Sequence, residues 1–146
     1  MSVQSQDRKQ KQCILEFIRR HSLCVFSTVN AERRPQSAVV EFAETAELEL
    51  IIDTFSDKRK YKNLKHDPHV SVVIGWDEDK TVQYEGVATE LQKEELKVYQ
   101  DMYFMKLPAA RELQNLGDLR YFKVTPTWIR YSDYSKRPWE SMEMNF

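Results

Sequence analysis

The sequence predicts a mainly β (α+β) fold, a six- to seven-stranded antiparallel β-barrel with flanking helices. Short stretches rich in β-branched and aromatic residues alternate with polar turns, and only a few stretches have helical periodicity. Most connections between neighbouring strands are too short for the crossover that a parallel sheet needs. Closing such a sheet into a barrel is the economical way to avoid exposed strand edges.

The first half of the chain begins with an amphipathic helix over residues 7–20, which is predicted to lie as a lid on the core. The stretches 23–29 and 36–43 predict a β-hairpin because polar turn residues separate them. A third strand over residues 48–54 follows a second turn. These three strands are expected to form a meander.

The middle of the chain predicts a short helix over residues 57–66, with Ser56 as its N-cap. Two more antiparallel strands are expected over residues 70–76 and 81–91. Gly86 lies inside the second of these strands, where an isolated glycine typically marks a bend or a bulge.

The last third predicts a helix over residues 94–105 and a shorter one in which Pro108 takes the first position. Two final strands are expected over residues 119–124 and 127–131, on either side of Pro126.

The length of 146 residues fits a single domain, with a core over about residues 7–134 and a tail over 135–146 that has no clear period. Twenty-two basic residues oppose 23 acidic ones, so the net charge of −1 gives no general attraction to nucleic acid or to acidic membranes. No membrane span or signal peptide is predicted, and we expect a cytoplasmic protein.

Few residues are spaced for metal binding or hydrolysis. Cys13 and Cys24 lie too far apart for a Cys-x-x-Cys pair, and His21, His66 and His69 have no Glu or Cys at ligand spacing. No metal site is therefore predicted. No Ser-His-Asp order or carboxylate pair stands out, so the catalytic residues, if any exist, stay unassigned.

The densest chemical signal runs from Asp53 to Lys60, where Thr54 ends a strand and three cations, Lys58, Arg59 and Lys60, open a helix. Cations in the first helical turn oppose the helix dipole at a cost of about 0.3–1 kcal/mol each, and a bound anion reverses this penalty. Arg can also hold a phosphate with two hydrogen bonds. The residue types alone leave two interpretations open, a phosphate site and a solvated basic turn.

A wider pattern surrounds these residues, and it resembles the FMN-binding split-barrel superfamily, whose members include pyridoxamine 5'-phosphate oxidases. The resemblance covers roughly residues 13–132. The family places a Thr at the end of the third strand, then a basic pair, an Asn-Leu pair, a Pro and a valine-rich strand. The matching residues here are Thr54, Arg59-Lys60, Asn63-Leu64, Pro68 and Val70-Ser71-Val72-Val73.

The resemblance implies a split barrel that binds FMN at the interface of a homodimer. It places Arg59 and Lys60 on the FMN phosphate, Thr54 near the ribityl phosphate and Asp53 beside it. Lys58 stands where relatives often have a small hydroxyl residue, and it would add charge to the site.

The flavin ring is expected to lie along the second strand, where family members hydrogen-bond the ring through backbone groups. Thr81 lies where the family often places a polar residue against the flavin, although an ordinary strand threonine explains it equally well. Trp128 is a candidate for stacking on the ring, although large aromatic residues most often fill cores and interfaces. The second-strand residues are Ser37, Ala38, Val39 and Val40.

The chain also departs from pyridoxamine-phosphate oxidases. The second strand lacks their basic residues, and the stretch around Arg130 has no His that would complete their Arg-x-His motif. The expected function is therefore an FMN-dependent oxidoreductase that acts on an unidentified small-molecule substrate. A non-catalytic flavin-binding or sensing protein, and the same fold with haem or a deazaflavin, remain alternatives.

Overall fold

A computed structural model describes residues 2–146, which form one antiparallel sheet of eight strands with helices around it. The strand order is β2-β1-β5-β6-β7-β4-β3, and β8 pairs with β7. The elements are α1 (Val3–Arg19), β1 (Leu23–Val29), β2 (Pro35–Glu41), β3 (Ala43–Glu44), β4 (Leu50–Phe55), α2 (Arg59–His66), β5 (His69–Ile74), β6 (Lys80–Glu90), α3 (Lys93–Lys106), a 3₁₀ helix (Pro108–Asn115), β7 (Leu119–Asp133) and β8 (Glu140–Asn145).

The predicted fold class is confirmed, with eight strands in place of six or seven, because β3 and β8 were not predicted and two predicted strands form the single strand β7. Side chains alternate between the two faces of each strand, so that every second residue of β1 from Cys24 to Thr28 is buried. None of the helices in the described chain is long and apolar enough to cross a membrane.

Two apolar clusters form the core. The larger one lies inside the curled sheet, and α1 closes it with buried side chains that include Ile14, Phe17 and Ile18. The smaller cluster lies between α3 and the other face of β4 and β7, where it contains Tyr103 and Tyr121. Because β4 has a cluster on each face, it reads as an almost continuous apolar run.

The first helix covers the barrel as predicted, but it begins earlier than the expected residue 7. It starts at Val3, where the Ser2 hydroxyl accepts a hydrogen bond from the Ser5 backbone N–H. Phe17 packs directly beneath Gly75, whose φ of 77° and lack of a Cβ allow this approach.

The predicted irregularity at Gly86 is confirmed as a shift of register between β6 and β7. A Cβ at Gly86 would lie 2.6 Å from the carbonyl oxygen of Thr125. Gly86 is opposite Pro126, which donates no backbone hydrogen bond, and β7 therefore continues through this proline. The expectation of two separate strands around Pro126 was wrong for this reason.

The tail is more ordered than its sequence indicated. Residues Glu140–Asn145 form β8, which pairs antiparallel with the second half of β7. Met142 and Met144 alternate with polar residues and pack against the main core. This alternation of apolar and polar residues is typical of a strand, but it is hard to recognise in a short and mostly polar tail.

The predicted three-strand meander was also wrong. The hairpin of β1 and β2 forms as expected, but β4 pairs with β7 and β3 rather than with β2. β2 and β4 approach each other without a hydrogen-bonded ladder in the described chain. The barrel is therefore split between these two strands, and α2 begins beside the gap.

Candidate functional site

The gap between β2 and β4 holds a cleft of about 380 Å³, within the range of small-molecule sites. One wall comes from β1 and β2, and the other from β4 and the start of α2. Seven of the eleven cofactor residues expected from the sequence line this cleft. They are Ser37, Ala38, Asp53, Thr54, Lys58, Arg59 and Lys60.

The basic end of the cleft is the first turn of α2. This helix starts at Arg59 with Lys58 as its N-cap, and no side chain caps its free backbone N–H groups. Its first turn contains no acidic residue. Within residues 2–146, Lys58, Arg59 and Lys60 form no ion pair. The turn thus combines three cations that form no ion pair, of which Lys60 also lies near the Asp53 carboxylate, with N–H donors that no side chain caps. This combination suits an oxyanion.

Ser56, the expected N-cap, has a different role. Its hydroxyl donates to Asp118 over 2.7 Å, and its backbone N–H bonds to the carbonyl oxygen of Asp118. The helix therefore begins at Arg59, two residues later than a helix with Ser56 as its N-cap would begin. This leaves the first N–H groups of α2 without a side-chain acceptor.

Thr54 and Lys60 approach the interior of the cleft. Thr54 is only 5% exposed, and its hydroxyl makes only a long contact of 3.5 Å with the Phe55 carbonyl oxygen. Lys60 is half-buried, and burial lowers the pKa of its ammonium group, although the nearby Asp53 carboxylate opposes this effect. Burial also raises the pKa of the Cys24 thiol to about 12, so this cysteine stays protonated.

Asp53 lies on the β4 wall of the cleft. Its Oδ2 is buried and has no hydrogen-bond partner among residues 2–146. Burial raises the pKa of the Asp53 carboxyl group, and the nearby Tyr103 hydroxyl and Lys60 ammonium partly offset that rise. Asp53 is directly opposite Tyr121 on β7. A partly buried carboxyl group with a raised pKa beside a cleft is typical of functional sites.

Asn63 links the two walls of the cleft. Its side chain is 6% exposed, and its amide group donates to Thr28 Oγ1 on β1 and to Gln36 Oε1 on β2, each over 2.9 Å. Because both partners accept, the Thr28 hydroxyl hydrogen and the Gln36 amide hydrogens are free to donate elsewhere. The sequence motif contained Asn63, but nothing in the local pattern indicated Thr28 or Gln36, since their role depends on a partner far along the chain.

Comparison with known proteins identifies the family of the chain. The family model for pyridoxamine 5'-phosphate oxidase matches residues 11–133, most of the chain. The chain belongs to the pyridoxamine 5'-phosphate oxidase-like family. The resemblance stated from the sequence is thereby confirmed. No curated protein matches the chain significantly.

Solved structures of low sequence identity share the fold. General Stress Protein 26 from Bacillus anthracis is 20% identical with a TM-score of 0.72, and the match covers 94% of this chain and 98% of that one. A haem binding protein from Mycobacterium smegmatis is 18% identical with a TM-score of 0.73. That match covers 86% of this chain, which spans only 55% of the mycobacterial protein.

HutZ, the haem storage protein from Vibrio cholerae, is a third such structure. It is 20% identical with a TM-score of 0.61, and the match covers 79% of this chain and 88% of HutZ. At these identities the likeness shows the fold alone. The solved structures that share this fold thus include two proteins that are described as binding or storing haem.

Four of the residues expected at the cofactor do not line the cleft of the single chain. Val39 points away from the barrel and is 60% exposed, while Val40 packs against the core. Thr81 is paired with Ser132 at the start of β6. Trp128 lies on β7, where its indole N–H faces Glu143 on β8. A role for them at the cofactor remains a prediction.

The histidines lie away from the cleft. His21 contacts the Phe17 carbonyl oxygen, and His69 pairs with Asp67 over 2.7 Å. His66 is exposed at the end of α2. Within residues 2–146, no three His, Cys, Asp or Glu side chains are grouped as metal ligands.

Proposed function

We propose that the cleft between β2 and β4 binds FMN, with the phosphate at Lys58, Arg59 and Lys60, and that the protein is a flavin-dependent oxidoreductase. The observation that carries this proposal is the first turn of α2, where three cations have neither acidic neighbours in the turn nor ion-pair partners in the described chain. A phosphate dianion would relieve their repulsion and the unfavourable helix dipole. The family match supports a flavin as the carrier of that phosphate.

The remaining lining residues suit the rest of FMN. The buried Thr54 hydroxyl and the free donors of Thr28 and Gln36 can bind ribityl and ring oxygens. Ser37 and Ala38 are small, which would let a planar ring approach the β2 backbone. When bound, FMN would supply hydride and electron transfer, while the protein orients it and excludes water.

We further propose a homodimer with the cofactor at its interface. The outer face of β1, β2 and β5 carries small and apolar side chains, which a second copy can cover. These residues are Val25, Ser27, Ser37, Val39, Ser71 and Val73. Val39 is 60% exposed in the single chain, and a partner at this face would bury it beside the cleft. A cytoplasmic location belongs to the same proposal.

The substrate of a true pyridoxamine-phosphate oxidase does not fit this chain as well as the cofactor does. β2 carries Ser37, Ala38, Val39 and Val40 where the oxidases have basic residues, and Arg130 has no histidine two residues later. Arg130 is instead paired with Glu143. We therefore propose a different small-molecule substrate.

The absorption spectrum of freshly purified protein tests the cofactor. We expect a flavin absorption band at about 450 nm, which follows from the electronic structure of the flavin itself. We also expect release of FMN on denaturation. Bleaching of this band by a nicotinamide donor would support an oxidoreductase, whereas bound flavin that no donor reduces would support the non-catalytic flavin-binding or sensing alternative. Colourless protein that does not take up added FMN would overturn the proposal.

Haem is the second candidate, because two of the structures described above are named for haem binding and storage. The cleft itself favours FMN, since none of the three histidines lies among its lining residues and its cationic end suits phosphate better than iron. A Soret band in the same spectrum would favour haem. Mass spectrometry of the extracted ligand would identify a deazaflavin, the remaining alternative.

A further inference from the structure

Asp53 stands out among the cleft residues because its carboxyl group lies between two different surroundings. On the cleft side it lies near Lys60, the innermost of the three cations. On the other side Oδ2 is buried against the α3 cluster, where the hydroxyl groups of Tyr103 and Tyr121 are also buried without hydrogen-bond partners. Lys60 is the cation that favours the ionised form of this carboxyl group.

The charged and titratable groups around Asp53 come from four elements. Lys60 on α2 favours the carboxylate, and Glu41 on β2 disfavours it. The Tyr103 hydroxyl on α3 lies close enough to favour the carboxylate, although neither that hydroxyl nor Oδ2 has a hydrogen bond of normal geometry. Tyr121 on β7 lies directly across the strand pair. No second cation approaches Asp53 from the buried side in the described chain.

An anion in the cleft changes this balance. It would engage the Lys60 ammonium group and place negative charge near Asp53, so that the attraction of Lys60 for the carboxylate is offset by a new repulsive neighbour. Protonation removes the repulsion at once. We propose that Asp53 takes up a proton from solvent when an oxyanion binds at the first turn of α2, so that anion binding and protonation of Asp53 are coupled. This inference rests on the proposed anion site.

The sign of the coupling follows from linkage, because a ligand that promotes proton uptake binds more tightly as the pH falls. The pKa of Asp53 is already raised by burial in the free protein and would be higher still with the anion bound. Between these two values, affinity should fall up to tenfold for each pH unit of increase. Above the higher value the affinity should level off.

Sulfate is the appropriate probe, since it stays a dianion across the range in which a phosphate monoester itself titrates. Its affinity for the flavin-free protein is measured by titration of backbone amide chemical shifts between about pH 4 and pH 8, a range that brackets ordinary and raised Asp pKa values. Wild-type protein should bind sulfate more weakly as the pH rises. Asp53→Asn, which keeps the size of the side chain, should lose this dependence and bind sulfate more tightly than the wild type at the high-pH end of the range, where Asp53 is ionised.

Two neighbours make the test specific to Asp53. Tyr103→Phe removes a group that favours the carboxylate and should move the titration to higher pH. Glu41→Gln removes a repulsive charge and should move it to lower pH. A group that merely holds the fold together would not show these opposite displacements.

Three outcomes would contradict the coupling. A flat profile in the wild type overturns it while leaving the anion site intact. A slope that persists in Asp53→Asn assigns the proton to another group, most directly Lys60, whose pKa burial lowers. Absence of sulfate shifts at α2, or shifts that Arg59→Ala with Lys60→Ala leaves unchanged, overturns the proposed anion site as well.

Discussion

The first turns of α2 and α3 have opposite charge. α3 begins at Lys93 and has two acidic residues, Glu94 and Glu95, in its first turn. Glu95 also forms an ion pair with Lys123 on β7. α2 begins with Arg59 and Lys60 and has no acid in its first turn. Acidic residues at a helix start stabilise the helix, whereas basic residues there are unfavourable.

The comparison shows which helix start is arranged for stability and which for a ligand. α3 satisfies its own dipole and holds the small core cluster against β4 and β7. α2 is short and faces the cleft at the split of the barrel. Its charges become favourable only when an anion lies between them, so the two helices should respond differently to removal of their first-turn charges.

Removal of the cations from α2 should have the largest effect. Arg59→Ala with Lys60→Ala should weaken FMN binding by about 3–5 kcal/mol, because two charge-assisted contacts to the phosphate disappear. The midpoint of urea unfolding of the flavin-free protein should stay the same or rise slightly, since the unfavourable dipole interaction is removed. Flavin fluorescence quenching measures the affinity.

The matched control is Arg8→Ala with Lys9→Ala, which removes the same charges from an exposed part of α1. This variant should bind FMN as the wild type does. Equal affinity in both double variants would place the phosphate elsewhere and remove the distinction between the two helix starts.

Asn63 tests how the α2 end of the cleft is held. Asn63→Leu should lower the free energy of unfolding by about 1–3 kcal/mol, because the buried Thr28 oxygen and the half-buried Gln36 oxygen lose their donor. FMN binding should weaken as well, since the donor groups of both side chains are no longer oriented. Chemical denaturation and fluorescence titration give the two values.

Asn115→Leu is the control for this change, because Asn115 is exposed at the end of the 3₁₀ helix. Its stability should stay within about 0.5 kcal/mol of the wild type. If Asn63→Leu loses stability but keeps full FMN affinity, the side chain only supports the fold.

Removal of the acids from α3 should have the smallest effect and the opposite pattern. Glu94→Gln with Glu95→Gln should lower the free energy of unfolding by about 0.3–1 kcal/mol and leave FMN affinity unchanged. Glu78→Gln with Glu112→Gln removes the same charge away from this helix start. Urea unfolding should show a loss of stability in Glu94→Gln with Glu95→Gln but not in the control. A loss of FMN affinity in that variant as large as the loss in Arg59→Ala with Lys60→Ala would contradict the assigned roles.

Local patterns predicted the elements well. β1 has the bounds expected from its β-branched and aromatic residues, and the bulge lies at Gly86 because an isolated strand glycine has few other uses. The cations of α2 were visible as charges at a helix start. The predicted Ser56 cap was wrong because the Ser56 hydroxyl bonds to Asp118, which is far away in sequence.

Long-range pairing limited the rest. The strand pattern of β4 fits a meander as well as it fits the observed pairing with β7, because alternation identifies faces but not neighbours. Thr28, Gln36 and the surroundings of Asp53 likewise depend on contacts between distant parts of the chain. The sequence could therefore indicate the cations of α2, but not the polar residues from other strands that complete the cleft.

The missing ladder between β2 and β4 has a mechanical consequence. β2 is fastened to β1, and β4 is fastened to β7, so these two edges can move apart without breaking any backbone hydrogen bond between them. In the described chain Asn63 spans part of this seam from α2 to β2. A ligand that contacts both β2 and β4 would be a second link between these strands. The barrel would therefore be most rigid when a ligand fills the cleft.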